Sequence, residues 1–257
     1  TIDTHVAGEA YRIVIQSPIA FLGGDVYSNH DKLKYNFKNE KNLLLNEPRG
    51  HRGIHGCVVA PSSVADFQLL FFNHEAVTNF KYEGLLATVT ALIETGNLKR
   101  TVDDRYQVET VKGIYTVKAS VDTYEVTAVY IEGGTCSEIN VTSDYLSVRI
   151  DNDRNYLLYT LPDSISSIEL ANLAALNHWG IEKTTELAKA NVEYEGVILM
   201  TSRQDALNKV RSVTFEKDGY ILRSPGIDST FAILTSLLNT PGSHSEIENE
   251  SIFGSSL

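Results

Sequence analysis

The stretch GLLATVTALIETG, residues Gly84–Gly96, predicts the helix around which the first part of the fold is built. Its apolar residues recur at helical spacing, at Leu85, Val89, Leu92 and Ile93. Gly96 supplies the left-handed residue that commonly ends a helix. Because alanine and leucine also fill the remaining faces, little polar surface is left, and a helix of this kind packs inside a core. We therefore predict a buried helix over 84–94.

Strand-like runs precede and follow this helix. Runs rich in valine, isoleucine, tyrosine and phenylalanine favour strands. They occur at Tyr11–Ile15, Val58–Val59, Phe67–Phe72, Ile114–Ser120, Val126–Ile131, Leu146–Ile150, Tyr156–Leu161, Val197–Thr201 and Val210–Phe215. Helical spacing predicts further helices at Ser164–Trp179, Glu182–Ala190 and Ser229–Leu238, the first of them capped by Asp163 or Ser164.

Each half of the chain ends as strand, loop and buried helix. This coarse repeat predicts an α+β fold of two similar β-rich lobes, each wrapped around a buried central helix, with a cleft between them. We place the boundary near Gly113, so that residues 1–113 form the first lobe, completed by residues 245–257, and residues 114–244 form the second. Two helix N-termini facing a cleft would suit a small carboxylate. The alternative is that side chains cap both helix ends.

Composition restricts the function. The chain has 257 residues, 42% of them hydrophobic, and a formal net charge of -11. That charge disfavours binding to nucleic acid or to an anionic membrane. No run reaches the length of a membrane span, and Cys57 and Cys136 are too few for a disulfide framework, so we expect a cytoplasmic protein. The chain opens at Thr1 without methionine, and we expect both ends to be incomplete.

Several motifs together resemble the proline racemase family, which includes hydroxyproline epimerases and trans-3-hydroxyproline dehydratases. They are DTHVAGEAYR at Asp3–Arg12, NEPRGH at Asn46–His51, TVTALIETG at Thr88–Gly96, RSP at Arg223–Pro225 and NESIFG at Asn249–Gly254. The resemblance covers essentially the whole chain. It implies the diaminopimelate-epimerase type of fold, an isomerase that needs no cofactor, and a tendency to form homodimers.

The resemblance also locates the two positions at which the family places catalytic cysteines. Such enzymes remove the Cα proton with one thiol and return a proton from another. In register with the motifs, Lys81 stands at the first cysteine position, with Glu83 at the neighbouring histidine position, and Gly226 stands at the second. We interpret Cys57 and Cys136 as inert small residues elsewhere in the fold.

The remaining candidate ligand contacts lie at the two helix starts. They are Tyr82, Glu83, Gly84, Ile227, Asp228, Ser229 and Thr230, together with His55. Asp228 or Ser229 is predicted to cap its own helix, and Asp228 puts negative charge where the resemblance implies a substrate carboxylate. The segment Asn152–Asn155 aligns with a glycine-rich element of the family but is bulkier and more charged. Ordinary amino-acid substrates would therefore fit poorly.

Metal and hydrolase chemistry are less favoured. His51 and His55 have the spacing of a helical metal-binding pair, but the glycines around them indicate a loop, so we predict no metal site. Ser224, Ser229, His55 and Asp228 could form a hydrolase triad, but the nucleophile-elbow pattern Gly-x-Ser-x-Gly is absent from the sequence.

Three hypotheses follow. In the first, the protein is a pseudoenzyme or catalytically altered family member that binds a small amino-acid-like ligand or a protein partner. In the second, it is an active racemase, epimerase or dehydratase-like lyase that uses Lys81 with Glu83 or Asp228 as bases. In the third, it is the structural partner of a cysteine-bearing paralogue.

Overall fold

The computed structural model describes residues 1–257 except 18, 22–23, 124, 152, 203–207 and 239–245. The chain forms two compact units, Thr1–Glu132 and Gly133–Leu257. Each unit contains its own mixed sheet and its own buried helix.

The first unit holds strands β1 to β8 and helices α1 to α3. The strands are β1 (Ile2–Val6), β2 (Glu9–Val14), β3 (Ile54–Ala60), β4 (Phe67–Phe72), β5 (Val77–Thr78), β6 (Arg105–Thr110), β7 (Gly113–Asp122) and β8 (Glu125–Ile131). The helices are α1 (Val26–Asn36), α2 (Lys38–Leu45) and α3 (Tyr82–Glu94). The sheet has the order β1-β2-β3-β4-β6-β7-β8, and β5 pairs with β4. The pairs β2–β3 and β4–β6 are parallel, so helices form the connections between them.

The sheet of the first unit curls around α3. β1 and β8 lie at opposite ends of the strand order, yet both contact this helix. Its sequence explains the burial, because apolar and small residues occupy nearly every face. A second cluster of buried side chains, including Val26, Leu33 and Phe72, packs α1 and α2 against the sheet.

The second unit holds β9 to β14, a short 3₁₀ helix, α4 and α5. The strands are β9 (Cys136–Val141), β10 (Leu146–Ile150), β11 (Arg154–Thr160), β12 (Gly196–Ser202), β13 (Lys209–Phe215) and β14 (Glu248–Glu250). The helices are the 3₁₀ turn Leu170–Asn172, α4 (Leu173–Lys189) and α5 (Ile227–Leu238). The sheet order is β14-β13-β12-β11-β10-β9. As α3 connects β4 to β6 in the first unit, α5 lies between the parallel strands β13 and β14.

The observed boundary between the units differs from the predicted one. Residues 111–112 form a tight turn that pairs β6 with β7, so a division at Gly113 would cut a hairpin. β14 pairs with β13, which assigns the described part of 245–257 to the second unit, whereas the sequence placed it with the first. Residues 239–245, which include the predicted end of the second lobe at 244, lie outside the described residues.

Two helix predictions need correction. Instead of separate helices at Ser164–Trp179 and Glu182–Ala190, the structure has one helix, α4, which begins only at Leu173 and passes through Gly180. Gly180 packs closely on Phe215 and does not end the helix. The sequence also missed α1 and α2, whose apolar residues are sparse. The signal for α1 is its cap, since the Asp25 carboxylate accepts from the backbone N–H of Ser28.

None of the helices in the described part of the chain combines the length and the apolar character needed to cross a membrane.

Candidate functional site

The start of α3 carries the first group of predicted site residues. Lys81 is the N-cap, with an extended backbone (φ -150°) and a partly buried side chain. Glu83 lies in the first turn and is 5% exposed. A carboxylate at this position is stabilised by the partial positive charge of the helix N-terminus.

Tyr82 and Gly84 are buried by neighbouring parts of the first unit. Tyr82 is fully buried, and its ring lies 4.7 Å from Phe80 and 5.9 Å from Tyr115, centroid to centroid. A Cβ at Gly84 would lie 2.8 Å from Cε1 of Phe71, closer than real contacts allow. Both residues therefore hold α3 against the sheet, and Tyr82 has no exposed surface for a ligand.

Cys57 lies directly beneath this helix start. Its sulfur is 3.2 Å from where a Cβ on Gly84 would be. Burial raises the pKa of the Cys57 thiol to about 12. A protonated thiol is a poor base and a poor nucleophile. This supports the interpretation of Cys57 as inert.

His55 is paired with a residue that the sequence analysis did not single out. Its Nε2 lies 2.9 Å from Oε1 of Glu9, and both side chains are buried. The imidazole also stacks on Tyr11, with ring centroids 5.4 Å apart. Because Glu9 begins β2 and His55 lies on the adjacent strand β3, the sheet itself holds the pair together.

His51 and His55 do not lie on a helix, so they do not form the helical metal-binding pair that their spacing allows. His55 lies on β3, and His51 precedes that strand in a turn where its Nδ1 accepts from the backbone N–H of Gly53. Among the described residues, no group of three or more His, Cys, Asp and Glu side chains is arranged to hold a metal ion.

The start of α5 carries the second group of predicted residues. Gly226 has φ +83°, a conformation that favours glycine, and it is followed by the buried Ile227, Asp228 and Ser229. The Ser229 hydroxyl lies 2.7 Å from Oγ1 of Thr214, and Thr230 donates to the carbonyl of Gly226. These contacts fix the helix start within the second unit.

Asp228 is bound by two side chains from β11. Its Oδ2 accepts from Nη1 of Arg154 and from the hydroxyl of Tyr156, each at 2.7 Å. Arg154 also donates to Oδ2 of Asp151 at 2.5 Å. The prediction that Asp228 or Ser229 caps α5 is therefore wrong, because both side chains bond to neighbouring strands instead. The second oxygen of Asp228, Oδ1, is buried without a hydrogen-bond partner in the described structure.

The charges of this cluster shift the pKa of two of its members. Burial alone would lower the pKa of the Arg154 guanidinium, but the negative charge of Asp228 and the hydrogen bonds to Asp228 and Asp151 together outweigh burial, and the pKa is raised. Burial raises the pKa of Tyr156 well above its usual value, and the charge of Asp228 raises it further. Arg154 thus stays cationic and Tyr156 stays a neutral donor, so both can donate to the carboxylate of Asp228.

Sequence reasoning came close to Arg154 and missed Tyr156 and Glu9. The segment Asn152–Asn155 was noted as unusually charged, and its Arg154 is the counterion of Asp228; Asn152 lies outside the described residues. Arg154 and Tyr156 are two positions apart on β11, so they share a face of the sheet. The available signal is a carboxylate in the first turn of a helix predicted to be buried, as at Asp228, because a buried carboxylate needs a cation or other donor beside it.

Comparison with known proteins identifies the family. A sequence model described as "Proline racemase" matches residues 1–137. A trans-3-hydroxy-L-proline dehydratase from Bacillus cereus is 27% identical over 257 residues, covering 92% of this chain and 77% of that protein.

Solved structures agree with this assignment. A probable proline racemase from Agrobacterium radiobacter, with bound carbonate, has a TM-score of 0.80 at 19% identity over 99% of this chain and 82% of the other. A hydroxyproline epimerase from Agrobacterium vitis, with bound trans-4-hydroxy-L-proline, has a TM-score of 0.78 at 20% identity over 99% and 81%. The predicted two-lobed α+β fold is thereby confirmed, and the chain belongs to the proline racemase family.

Proposed function

We infer that this protein is a catalytically altered member of its family, which binds a small amino-acid-like ligand and does not racemise it with two thiols. The positions that correspond to the family cysteines carry Lys81 and Gly226. A glycine has no side chain that could move a proton. The thiol of Cys57, which lies nearest to α3, is kept protonated by burial.

The observation that carries this proposal is the presence of the protein's own carboxylate, that of Asp228, at the start of α5. In the second unit, Asp228 brings its own carboxylate to this helix start, and Arg154 and Tyr156 already bind it. A ligand carboxylate would be repelled there. The free oxygen Oδ1 is suited to accept from the ammonium group of a ligand instead.

The same contacts argue against Asp228 as a catalytic base. Oδ2 already accepts from two donors, Arg154 and Tyr156, so this oxygen is not available to take a proton from a ligand. The hypothesis of an active isomerase that uses Asp228 therefore loses one of its bases. A family relative is named for its action on trans-3-hydroxy-L-proline, and another was crystallised with trans-4-hydroxy-L-proline, so these two compounds and L-proline are the first ligands to test.

Calorimetric titration with each compound, followed by chiral chromatography of the same mixture, tests the proposal. We expect binding of at least one compound and no formation of the opposite stereoisomer at Cα. Formation of that isomer faster than in buffer would overturn the proposal, and so would the absence of binding. The exposed variant Asp153→Asn is the matched control for any effect of Asp228→Asn on binding.

A further inference from the structure

His55 and Glu9 form a buried pair, here called the dyad, to which the proposed function assigns no role. In β2 and β3, Tyr11 is the register partner of His55, which places Glu9 and the imidazole on one face of the sheet. His55 is 6% exposed and Glu9 is 2% exposed. A polar pair buried to this degree is held in a defined geometry.

The pairing fixes the role of each ring nitrogen. An ionised carboxylate can only accept, so the contact at 2.9 Å places the proton of a neutral imidazole on Nε2. The lone pair then lies on Nδ1, which has no hydrogen-bond partner in the described ranges. The stacked ring of Tyr11 restricts rotation of the imidazole. A base whose tautomer is set by a carboxylate is the arrangement used for general-base catalysis.

The dyad lies at the end of the first-unit sheet where α3 begins. β5 pairs with Phe71 and Phe72, and these residues pair with Cys57 and Gly56, so the chain passes into α3 beside the start of β3. Cys57, two residues from His55 on the same face, is next to Gly84 in the first turn of α3. The N–H groups of that turn supply partial positive charge close to the dyad.

We propose that His55, oriented by Glu9, is the general base of this protein and acts on one face of an amino-acid-like ligand. Nδ1 takes the proton from Cα, and the electron pair of the broken C–H bond is delocalised into the ligand carboxylate as an enolate. The imidazolium, paired with Glu9, exchanges its Nδ1 proton with solvent and returns it to the same face. The net reaction is exchange of the Cα hydrogen with retention of configuration. This inference rests on the proposed binding of an amino-acid-like ligand.

Proton NMR of L-proline and trans-4-hydroxy-L-proline with the protein in deuterated water measures the exchange, and chiral chromatography measures inversion. We expect loss of the Cα proton signal without inversion. His55→Asn should slow the exchange by about 100-fold or more, which is the usual contribution of a general base. His178→Asn, on the exposed surface of α4, is the matched control and should leave exchange unchanged.

Glu9 is proposed to act by orienting His55, so its role is tested by measuring the tautomer of His55 as well as the exchange rate. In protein labelled with ¹⁵N-histidine, the ring signals of His55, assigned by their loss in His55→Asn, should show Nε2 protonated. Glu9→Gln should shift these signals toward the other tautomer and reduce exchange, while Glu9→Asp should restore part of both. Circular dichroism checks that each variant is folded. Unchanged signals in Glu9→Gln would overturn the role of Glu9.

The outcomes separate this inference from the proposed function. Binding without exchange, or exchange that survives in His55→Asn but is lost in Lys81→Ala, overturns the inference and leaves the proposed function standing. Exchange with inversion overturns the proposed function. Absence of binding by both compounds in these measurements and of any exchange overturns the inference as well, since the base then has no ligand of this class.

Discussion

At the start of α5, a carboxylate, a guanidinium and a phenol are buried together. Asp228 is 5% exposed and Arg154 is 6% exposed. Removing two charges from water is costly, and their attraction and hydrogen bonds offset that cost only while both partners are present. The stability of this region therefore depends on the pair as a unit more than on either residue.

Asp228→Asn is expected to destabilise the protein by about 3–5 kcal/mol, the usual effect of breaking a buried ion pair. The cause is that the buried guanidinium of Arg154 loses one of its two carboxylate partners and keeps only Asp151. Urea unfolding followed by circular dichroism measures the change.

Two variants make this prediction specific. Asp153→Asn changes an exposed carboxylate of the same β10–β11 segment and should stay within about 0.5 kcal/mol of the wild type. The triple variant Asp228→Leu, Arg154→Met and Asp151→Asn removes all three charges of the cluster and should be more stable than Asp228→Asn. Equal stability of Asp228→Asn and the wild type would mean that the pair contributes nothing.

The thiol of Cys57 predicts a loss of stability at alkaline pH. Burial raises its pKa from 9.0 to about 12, so the unfolded chain loses this proton at a lower pH than the folded protein does. Stability from this group is complete below about pH 9 and is lost as the pH rises toward 12. The wild type should therefore lose up to about 1.4 kcal/mol more per pH unit above 9 than Cys57→Ala.

Urea titrations between pH 8 and 10.5 measure this difference. Cys136→Ala is the control, since the thiol of Cys136 is only partly buried. This substitution should change the pH dependence of the free energy of unfolding less than Cys57→Ala does. Parallel pH curves for the wild type and Cys57→Ala would contradict the prediction.

The residues of the candidate site could be predicted only in part. The helix starts that carry Glu83 and Asp228 were located from motifs and periodicity, because these signals are local. The partners of Asp228 and His55 were not predicted, since Arg154 is 74 residues from Asp228 and Glu9 is 46 residues from His55. The Glu9–His55 pair forms through the register of β2 and β3, and the Arg154–Asp228 pair forms where α5 packs on β11. Single-sequence patterns specify neither the register nor the packing of distant elements.

Among the elements, α4 shows how packing overrides local preference. Glycine weakens a helix, and the two predicted helices were separated at residues 180–181. In the structure the helix continues, because Gly180 allows it to lie against Phe215 of β13. The strands were predicted more successfully than the helices α1 and α2, because their β-branched and aromatic runs are continuous.

Gly180→Ala should destabilise the protein, although alanine is the better helix former. A Cβ at this position would lie 2.2 Å from Cδ1 of Phe215, so the ring or the helix must shift. Overpacking of this kind costs about 1–3 kcal/mol, and the gain in helix propensity offsets about 1 kcal/mol. With so short a contact, we expect a net loss of about 2 kcal/mol in thermal or urea unfolding.

Gly24→Ala is the matched control, because a Cβ there has no neighbour within 4 Å. It should change the free energy of unfolding by less than about 0.5 kcal/mol. A Gly180→Ala variant more stable than the wild type would show that α4 and β13 can separate at no cost.

At the scale of the whole molecule, the chain is two compact units with separate buried cores. The sequence predicted two lobes and the family, because the repeated order of strand, loop and buried helix and the motifs extend along the chain. It misplaced the division, because the hairpin of β6 and β7 is fixed by pairing partners that composition does not show. Val117 and Ala119 of β7 are buried in the first unit.

A fragment of residues 1–132 should fold without the rest of the chain. It contains the complete first-unit sheet with α3, and domains of this size bury enough surface to be stable. Cooperative urea unfolding, followed by circular dichroism, is the expected result. A fragment of residues 1–113 lacks nearly all of β7 and all of β8 and should unfold without cooperativity. Equal cooperativity of the two fragments would contradict the observed division.

The parallel pairing of β2 and β3 also determines where this protein can tolerate insertions and deletions. The long connection between the two strands crosses over through α1 and α2, so changes of length at its surface turns leave the pairing intact. A single residue gained or lost between Gly53 and His55 has a different result. Side chains alternate along a strand, so the shift would turn the imidazole to the opposite face and present Ile54 or Gly56 to Glu9.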